Sequence, residues 1–337
     1  MSKLIILMIS IGLILGAWNI EGSVYIDALG REVHIYKLER IVSLAPSITE
    51  TLMYLGVGDL LIGVDSSSLE SWFMGTGNYL RSRNVSVTGG YWWSSVSIEK
   101  VIALNPDLVF ADVGAHAPLL EAFESHNIPV YYLHGGGANN LEEVLEDIRT
   151  LGILFNRSSK AEELIERIHE ALNTWGKRVE GDFGRIKAVT IIDLTDGIWV
   201  AGKDTFIDDI LKRMGIINVA TTQGWSLVSL EQIISWNPDV IFVALMYEVS
   251  NETIQEIGLY DLSKPIIVFN STEADMLLRP GPLLIYLPEV IYNALVKANI
   301  TRDHMEHEFI YQSISLIVII AISTVSLGII ALRKPKR

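Results

Sequence analysis

Apolar residues in this chain keep two rhythms that alternate from Val24 to Ala298. Short, nearly unbroken apolar runs occur at Ile41-Val-Ser-Leu-Ala45, Leu61-Ile-Gly-Val64, Leu108-Val-Phe110, Val130-Tyr-Tyr-Leu133, Ile186 to Asp193, Val240-Ile-Phe242 and Pro265 to Phe269. They predict strands buried on both faces, which leave no room for polar alternation. Between them, apolar residues recur at three- and four-residue spacing and predict helices: from Ser47 to Gly56, near 117–126, Leu141 to Leu151, Ser158 to Val179, Asp204 or Thr205 to Gly215, and Leu284 to Ala298. Ser47-Ile-Thr-Glu50 reads as a capping box at the first of these. Val24 to Tyr36 predicts a hairpin turning at Ala-Leu-Gly30-Arg. Residues 65–92 lack either rhythm and predict a long polar loop. Its Trp72, Phe73, Tyr91 and Trp92 suit a binding surface better than a connector.

One stretch of eighteen residues occurs twice, Trp93 to Phe110 and Trp225 to Phe242. In both copies a Ser (Ser97, Ser229) stands where it can cap a helix N–H, and a Glu (Glu99, Glu231) follows in the first turn, where the helix dipole favours negative charge. Asn-Pro-Asp then stops the helix ahead of an apolar strand. Two copies of a helix feeding a parallel strand predict a duplicated α/β architecture with two open, mostly parallel sheets. Ser158 to Val179 lies between the two copies, with Leu164, Ile165, Ile168, Leu172 and Trp175 on one face, and reads as a rigid helical linker. The expected organisation is an N-terminal lobe over 24–155, a linking helix over 156–182 and a C-terminal lobe over 183–300. Ligands bind such sheets at the C-terminal ends of the strands, so two facing sheets predict a cleft between them.

The ends of the chain differ from its middle. Lys3 followed by a fourteen-residue apolar core, Leu4 to Ala17, reads as a signal peptide over 1–17. Such a core spans only ~21 Å as a helix against a ~30 Å bilayer core. Phe309 to Leu332 is uncharged for 24 residues, about 36 Å of helix, enough to span a bilayer. A stalk over 301–308 precedes it, and the basic tail 333–337 is expected in the cytoplasm by the positive-inside rule. The expected product is a single-pass membrane protein with its ectodomain outside the cell. The sequons at Asn84, Asn156, Asn251, Asn270 and Asn299 are compatible with export. The chain has no cysteine, which excludes disulfides, thiolate metal sites and thiol nucleophiles, and its formal charge of -14 argues against nucleic acid as a partner.

Arg40-Ile-Val-Ser-Leu-Ala-Pro-Ser-Ile-Thr-Glu50, the repeated Val-Ser-Ile/Leu-Glu and Asn-Pro-Asp blocks and the long middle helix together resemble the substrate-binding proteins of the cobalamin and iron-chelate ABC importers. The resemblance covers roughly 24–300. It implies two Rossmann-like lobes joined by one long helix, a fold with a helical backbone between the lobes, a shallow cleft with little closure, and delivery to a permease dimer with its ATPase subunits. A C-terminal membrane helix in place of a lipidated Cys resembles archaeal members. By position, Trp93 and Trp225 match the two Trp residues that flank the ligand in the cobalamin branch, Trp199 matches an aromatic, and Asp275 and Arg279 match an Asp and Arg near the last helix. Ser67 and Asp112 stand where that branch has Tyr and Trp, which leaves a related corrinoid, heme or an iron-siderophore open as ligand. The resemblance makes Glu99 and Glu231 docking residues for permease arginines, one per lobe, and it implies no intrinsic cofactor.

Blander accounts compete at each position. Trp93 and Trp225 could be core residues, Asp275 and Arg279 a surface ion pair, and both glutamates simple helix starters. An enzyme is disfavoured: His134-Gly-Gly-Gly137 resembles an oxyanion-hole motif, but no Gly-X-Ser-X-Gly elbow accompanies it. A free-metal (zinc or manganese) carrier would need converging ligands, and His116, His126 and His134 show no ligand spacing. A non-transport surface protein would leave the duplicated first-turn Glu without a role.

Overall fold

In the computed structural model, residues 23–247 and 250–300 are described. The expected signal peptide, stalk, membrane span and basic tail lie outside them. Among the described residues, no helix is long and apolar enough to cross a membrane.

The described residues open with an antiparallel hairpin of β1 (Ser23–Ile26) and β2 (Glu32–Ile35). The first lobe is an all-parallel five-stranded sheet built from β3 (Ile41–Ser43), β4 (Leu61–Asp65), β5 (Ser86–Gly89), β6 (Leu108–Asp112) and β7 (Val130–Leu133), in the order β5-β4-β3-β6-β7. The second lobe contains β8 (Ile186–Asp193), β9 (Ile198–Ala201), β10 (Ile216–Asn218), β11 (Trp225–Val228), β12 (Val240–Val243) and β13 (Ile266–Val268). Its order is β11-β9-β8-β12-β13, with β10 also on β8. The β8, β10, β12 and β13 pairings are parallel, while β9 and β11 form an antiparallel flap. The two α/β lobes and their largely parallel sheets agree with the sequence expectation.

The duplicated segment shows why the copies fold alike. Ser97 and Ser229 cap the helices Ile98–Leu104 and Leu230–Trp236, and Asn105 and Asn237 close them at φ 44° and 47°. Asp107 and Asp239 then tie each copy to the first strand of its lobe. The Asp107 carboxylate accepts the N–H groups of Glu39 and Arg40 at 2.9 Å, and Asp239 accepts that of Lys187 at 2.7 Å.

The helix Ser158–Phe183 runs between the lobes for 26 residues, about 39 Å. It packs on the helices Leu141–Leu154 and Leu287–Lys297. Its buried stripe, including Leu164, Ile168, Leu172 and Val179, belongs to one apolar core that continues into both lobes. Such a shared core resists hinge motion, because opening it would expose apolar area from both sides.

Two expectations need correction. Residues 65–92 are not one loop: they form the helices Ser66–Leu69 and Thr76–Ser82 and strand β5. Polar, turn-rich composition hid helices of only one or two turns. The capping box at Ser47 and Glu50 does not form either. Pro46 takes the first helical position of Pro46–Leu55, where its missing N–H costs nothing, so Ala45 is the N-cap and makes no side-chain cap bond. Glu50 is released from a local role and buried.

Candidate ligand cleft

A cavity of about 580 Å³ lies between the lobes. The strands deliver its lining from their C-terminal ends: Gly114 follows β6, Gly136 follows β7, Asp193 ends β8 and Met246 follows β12. That is where parallel α/β sheets hold ligands.

Aromatic side chains from both lobes dominate the walls. Trp199 and Trp225 line the cavity. The β9–β11 register pairs Trp199 with Leu227, so Trp225, two residues away, shares its face. Trp225 meets Phe206 edge-on at 5.7 Å and donates its indole N–H to the Gly136 carbonyl across the lobe boundary at 3.1 Å. Trp199 donates to Asp196 at 2.8 Å. Trp93 is not among the lining residues and is 50 % exposed; its neighbours Tyr91 and Trp92 line the cavity instead. Trp93 itself opens the short helical turn Trp93–Ser95, while the rings of Tyr91 and Trp92 meet at 5.2 Å.

Asp112, at the end of β6, organises the first-lobe side of the cleft. It is fully buried and accepts the Tyr91 hydroxyl and the Gly136 N–H, both at 2.8 Å, and the Gly114 N–H at 2.7 Å. Burial beside this carboxylate pushes the Tyr91 phenol well above its ordinary range. The Asp112 N–H donates to His116 Nδ1 at 3.0 Å, which leaves His116 Nε2 as donor to the Tyr91 carbonyl at 2.6 Å. Burial also lowers the His116 pKa, in keeping with that neutral ring. The glycine turn after β7 exists because of Asp112: a Cβ on Gly135 would lie 2.3 Å from the carboxyl carbon, and the backbone there has φ +51°. In the sequence Asp112 stands out only as a departure from the cobalamin pattern. No periodic or motif signal marks its role in the cleft, because Tyr91 and Gly136, which it joins there, are 21 and 24 residues away.

Asp275 and Arg279 line a smaller adjoining recess with Ser67 and Pro280, and this recess shares Tyr91, Met246 and Leu278 with the main cavity. Arg279 is not a surface partner of Asp275 alone. It is buried, with Nη2 2.8 Å from Asp275 and Nη1 2.8 Å from Glu50 of the other lobe. The same Glu50 oxygen accepts the Ser71 hydroxyl at 2.6 Å, while Oε2 is buried without a partner among the described residues. Burial pushes the Glu50 carboxyl up to about 7 despite the opposing pull of Arg279. Burial likewise raises Asp65 to about 6, against hydrogen bonds from the Ser68 hydroxyl and N–H.

Glu99 and Glu231 are exposed in the first turns of their helices. Both carboxyls are lowered, Glu99 mainly by its own backbone N–H and Glu231 mainly by the Ser229 hydroxyl. Among the described residues no group of three or more His, Asp and Glu side chains is placed to hold a metal ion.

Known proteins share this architecture. A family profile described as periplasmic binding protein matches residues 41–261. An uncharacterized ABC transporter substrate-binding lipoprotein of Bacillus subtilis, YvrC, is 30% identical over 223 residues, covering 64% of this chain and 67% of its own length. A vitamin B12-binding protein of Vibrio parahaemolyticus is 29% identical over 210 residues, covering 61% of this chain and 71% of its own length. The crystal structure of the periplasmic heme-binding protein HutB of Vibrio cholerae superposes with a TM-score of 0.61 at 19% identity, covering 77% of this chain and 99% of its own, a likeness of fold. With the profile spanning most of both lobes, the chain belongs to the periplasmic binding protein family.

Proposed function

We propose that this chain is the substrate-binding protein of an ABC importer, and that it captures a corrinoid or an iron chelate such as heme or a siderophore between its lobes. The observation that carries this reading is the inter-lobe cavity of about 580 Å³ walled by Tyr91, Trp92, Trp199, Phe206 and Trp225. Flat apolar rings suit a large planar ligand, and the volume falls in the range of small-molecule sites. Relatives named for vitamin B12 binding and a fold neighbour named for heme binding support the same ligand class. A binding role, without catalysis, fits a family of binding proteins.

In this reading Trp199 and Trp225 hold the ligand face from the second lobe, and Tyr91 and Trp92 hold it from the first. Trp93 is left at the rim of the site. Arg279 and Asp275 shape the adjoining recess. Glu99 and Glu231 dock on permease arginines, one per lobe, since a carboxylate and a guanidinium form a bidentate pair. The apolar segment 309–332 anchors the protein, and the signal peptide over 1–17 directs the ectodomain to the outer face. The test is a titration of the purified chain with cyanocobalamin, hemin and a ferric siderophore, in which saturable one-to-one binding of one of them is expected. Failure of all three to bind would overturn the proposal.

A further inference from the structure

The cavity offers hydrogen-bond acceptors and has already committed most of its donors. The Tyr91 hydroxyl and the Gly114 and Gly136 N–H groups are all taken by Asp112. The indole of Trp225 is taken by the Gly136 carbonyl and that of Trp199 by Asp196. The Thr195 hydroxyl is turned to Tyr247 at 3.4 Å. Among the described lining side chains only the indole N–H of Trp92, which is 53 % exposed, has no such partner among the described residues. Among the described residues no Lys, Arg or His lines the cavity, and the nearby Arg279 is spent on Glu50 and Asp275.

The acceptors stand in contrast. Asp193 and Asp196 both line the cavity. Asp193 Oδ1 accepts the Thr195 N–H at 2.6 Å and the Tyr247 hydroxyl at 3.2 Å, and Asp196 Oδ1 accepts Trp199. These bonds fix both carboxyl groups in place, and Oδ2 of each has no hydrogen-bond partner among the described residues. A ligand with free carboxylates would bring negative charge to two acidic side chains and find almost no donor. A ligand whose arms are primary amides would bring N–H groups to those two oxygens and form charge-assisted bonds.

We propose that Asp193 and Asp196 select the ligand class: macrocycles rimmed by uncharged hydrogen-bond donors such as carboxamides are accepted, and macrocycles bearing free carboxylates are disfavoured. This rests on the reading of the cleft as a chelate site and narrows it. Repulsion between like charges in a partly desolvated cleft acts over several ångströms and is weakened by salt, so the selection depends on ionic strength.

The test is a visible-absorbance titration of the full chain in detergent with cyanocobalamin, whose rim is amide, and with hemin, which carries two carboxylates. Wild type, Asp196→Asn and Asp193→Asn/Asp196→Asn are compared at low and high salt. Wild type is expected to prefer cyanocobalamin and to bind hemin more tightly as salt rises. In the double variant the ratio of the two dissociation constants should move at least about tenfold toward hemin, as cyanocobalamin loses charge-assisted bonds and hemin loses repulsion. Asp196→Asn alters an exposed side chain and should move the ratio in the same direction even if the double variant folds poorly. Hemin binding as tight as cyanocobalamin in wild type, with a ratio that neither variant moves, would sink the charge selection and leave the chelate-carrier reading intact. Binding of neither macrocycle would overturn that reading and the selection with it.

Discussion

Replacing Glu50 with Gln isolates a carboxyl group that joins the two lobes beside the cleft. Gln keeps an oxygen for the Ser71 hydroxyl and for Arg279 Nη1 but cannot ionise. The native pKa of Glu50 stands at about 7 against an ordinary value of 4.5, raised chiefly by burial. A shift of that size corresponds to ~3 kcal/mol between the two protonation states. The sign follows from proton linkage. The folded chain holds this proton more tightly than the unfolded chain, so the stability Glu50 contributes is fully present below pH 4.5 and is lost as pH rises through about 7. The free energy of unfolding of wild type should therefore fall relative to Glu50→Gln by ~3 kcal/mol between about pH 4 and about pH 8. Asp65 has the same sign but is common to both proteins and drops out of the difference. Urea unfolding followed by tryptophan fluorescence at a series of pH values measures it. A wild-type-minus-variant difference that stays constant with pH would refute the account, because burial would then not be holding the proton on Glu50.

Other expectations concern the cleft and its outer face. Trp225→Ala should weaken ligand binding by ~2–4 kcal/mol, or roughly 30- to 1,000-fold, if this ring is an anchor; a variant that melts early yet binds normally would make it a core residue. Trp92→Ala should cost more affinity than Trp93→Ala in the same titration, and the reverse order would mean that the rim rotates on binding. Gly135→Ala should destabilise the fold by ~2–4 kcal/mol, since it combines a positive φ with a clash on Asp112; an unchanged melting temperature would contradict that packing. Glu99→Lys/Glu231→Lys should bind ligand normally but lose uptake in cells, and normal uptake would make both residues ordinary helix starters.

What the sequence made legible is what depends on neighbours in the chain. The paired Ser caps, the Asn-Pro-Asp stops and the 3.6-residue stripe of the long helix are local devices, and they led to two α/β lobes and the helix between them. The pair Glu50–Arg279 spans 229 positions, so no local pattern could show it. Ser47 and Glu50 have the spacing of a capping box, but Pro46 takes the first helical position and moves the helix start. Trp93 and Trp225 hold matching places in the repeat, and Trp225 stands on a regular strand. In the first lobe the equivalent stretch is a tight turn, and one residue of offset sends Trp92 into the cavity wall and leaves Trp93 outside it. β9 and β11 leave no pattern in the sequence because each covers only four residues. The flap they form carries Trp199 and Trp225 to one face.

The most direct test of the central claim is equilibrium binding of a large chelate to the purified protein, read by ligand absorbance and tryptophan quenching together. Saturable binding at one ligand per chain, quenched through the cleft tryptophans and weakened in Trp225→Ala, is the predicted result. Absence of binding by cyanocobalamin, hemin and a ferric siderophore alike, or binding that Trp225→Ala and Trp199→Ala leave untouched, would contradict a chelate held between the two lobes.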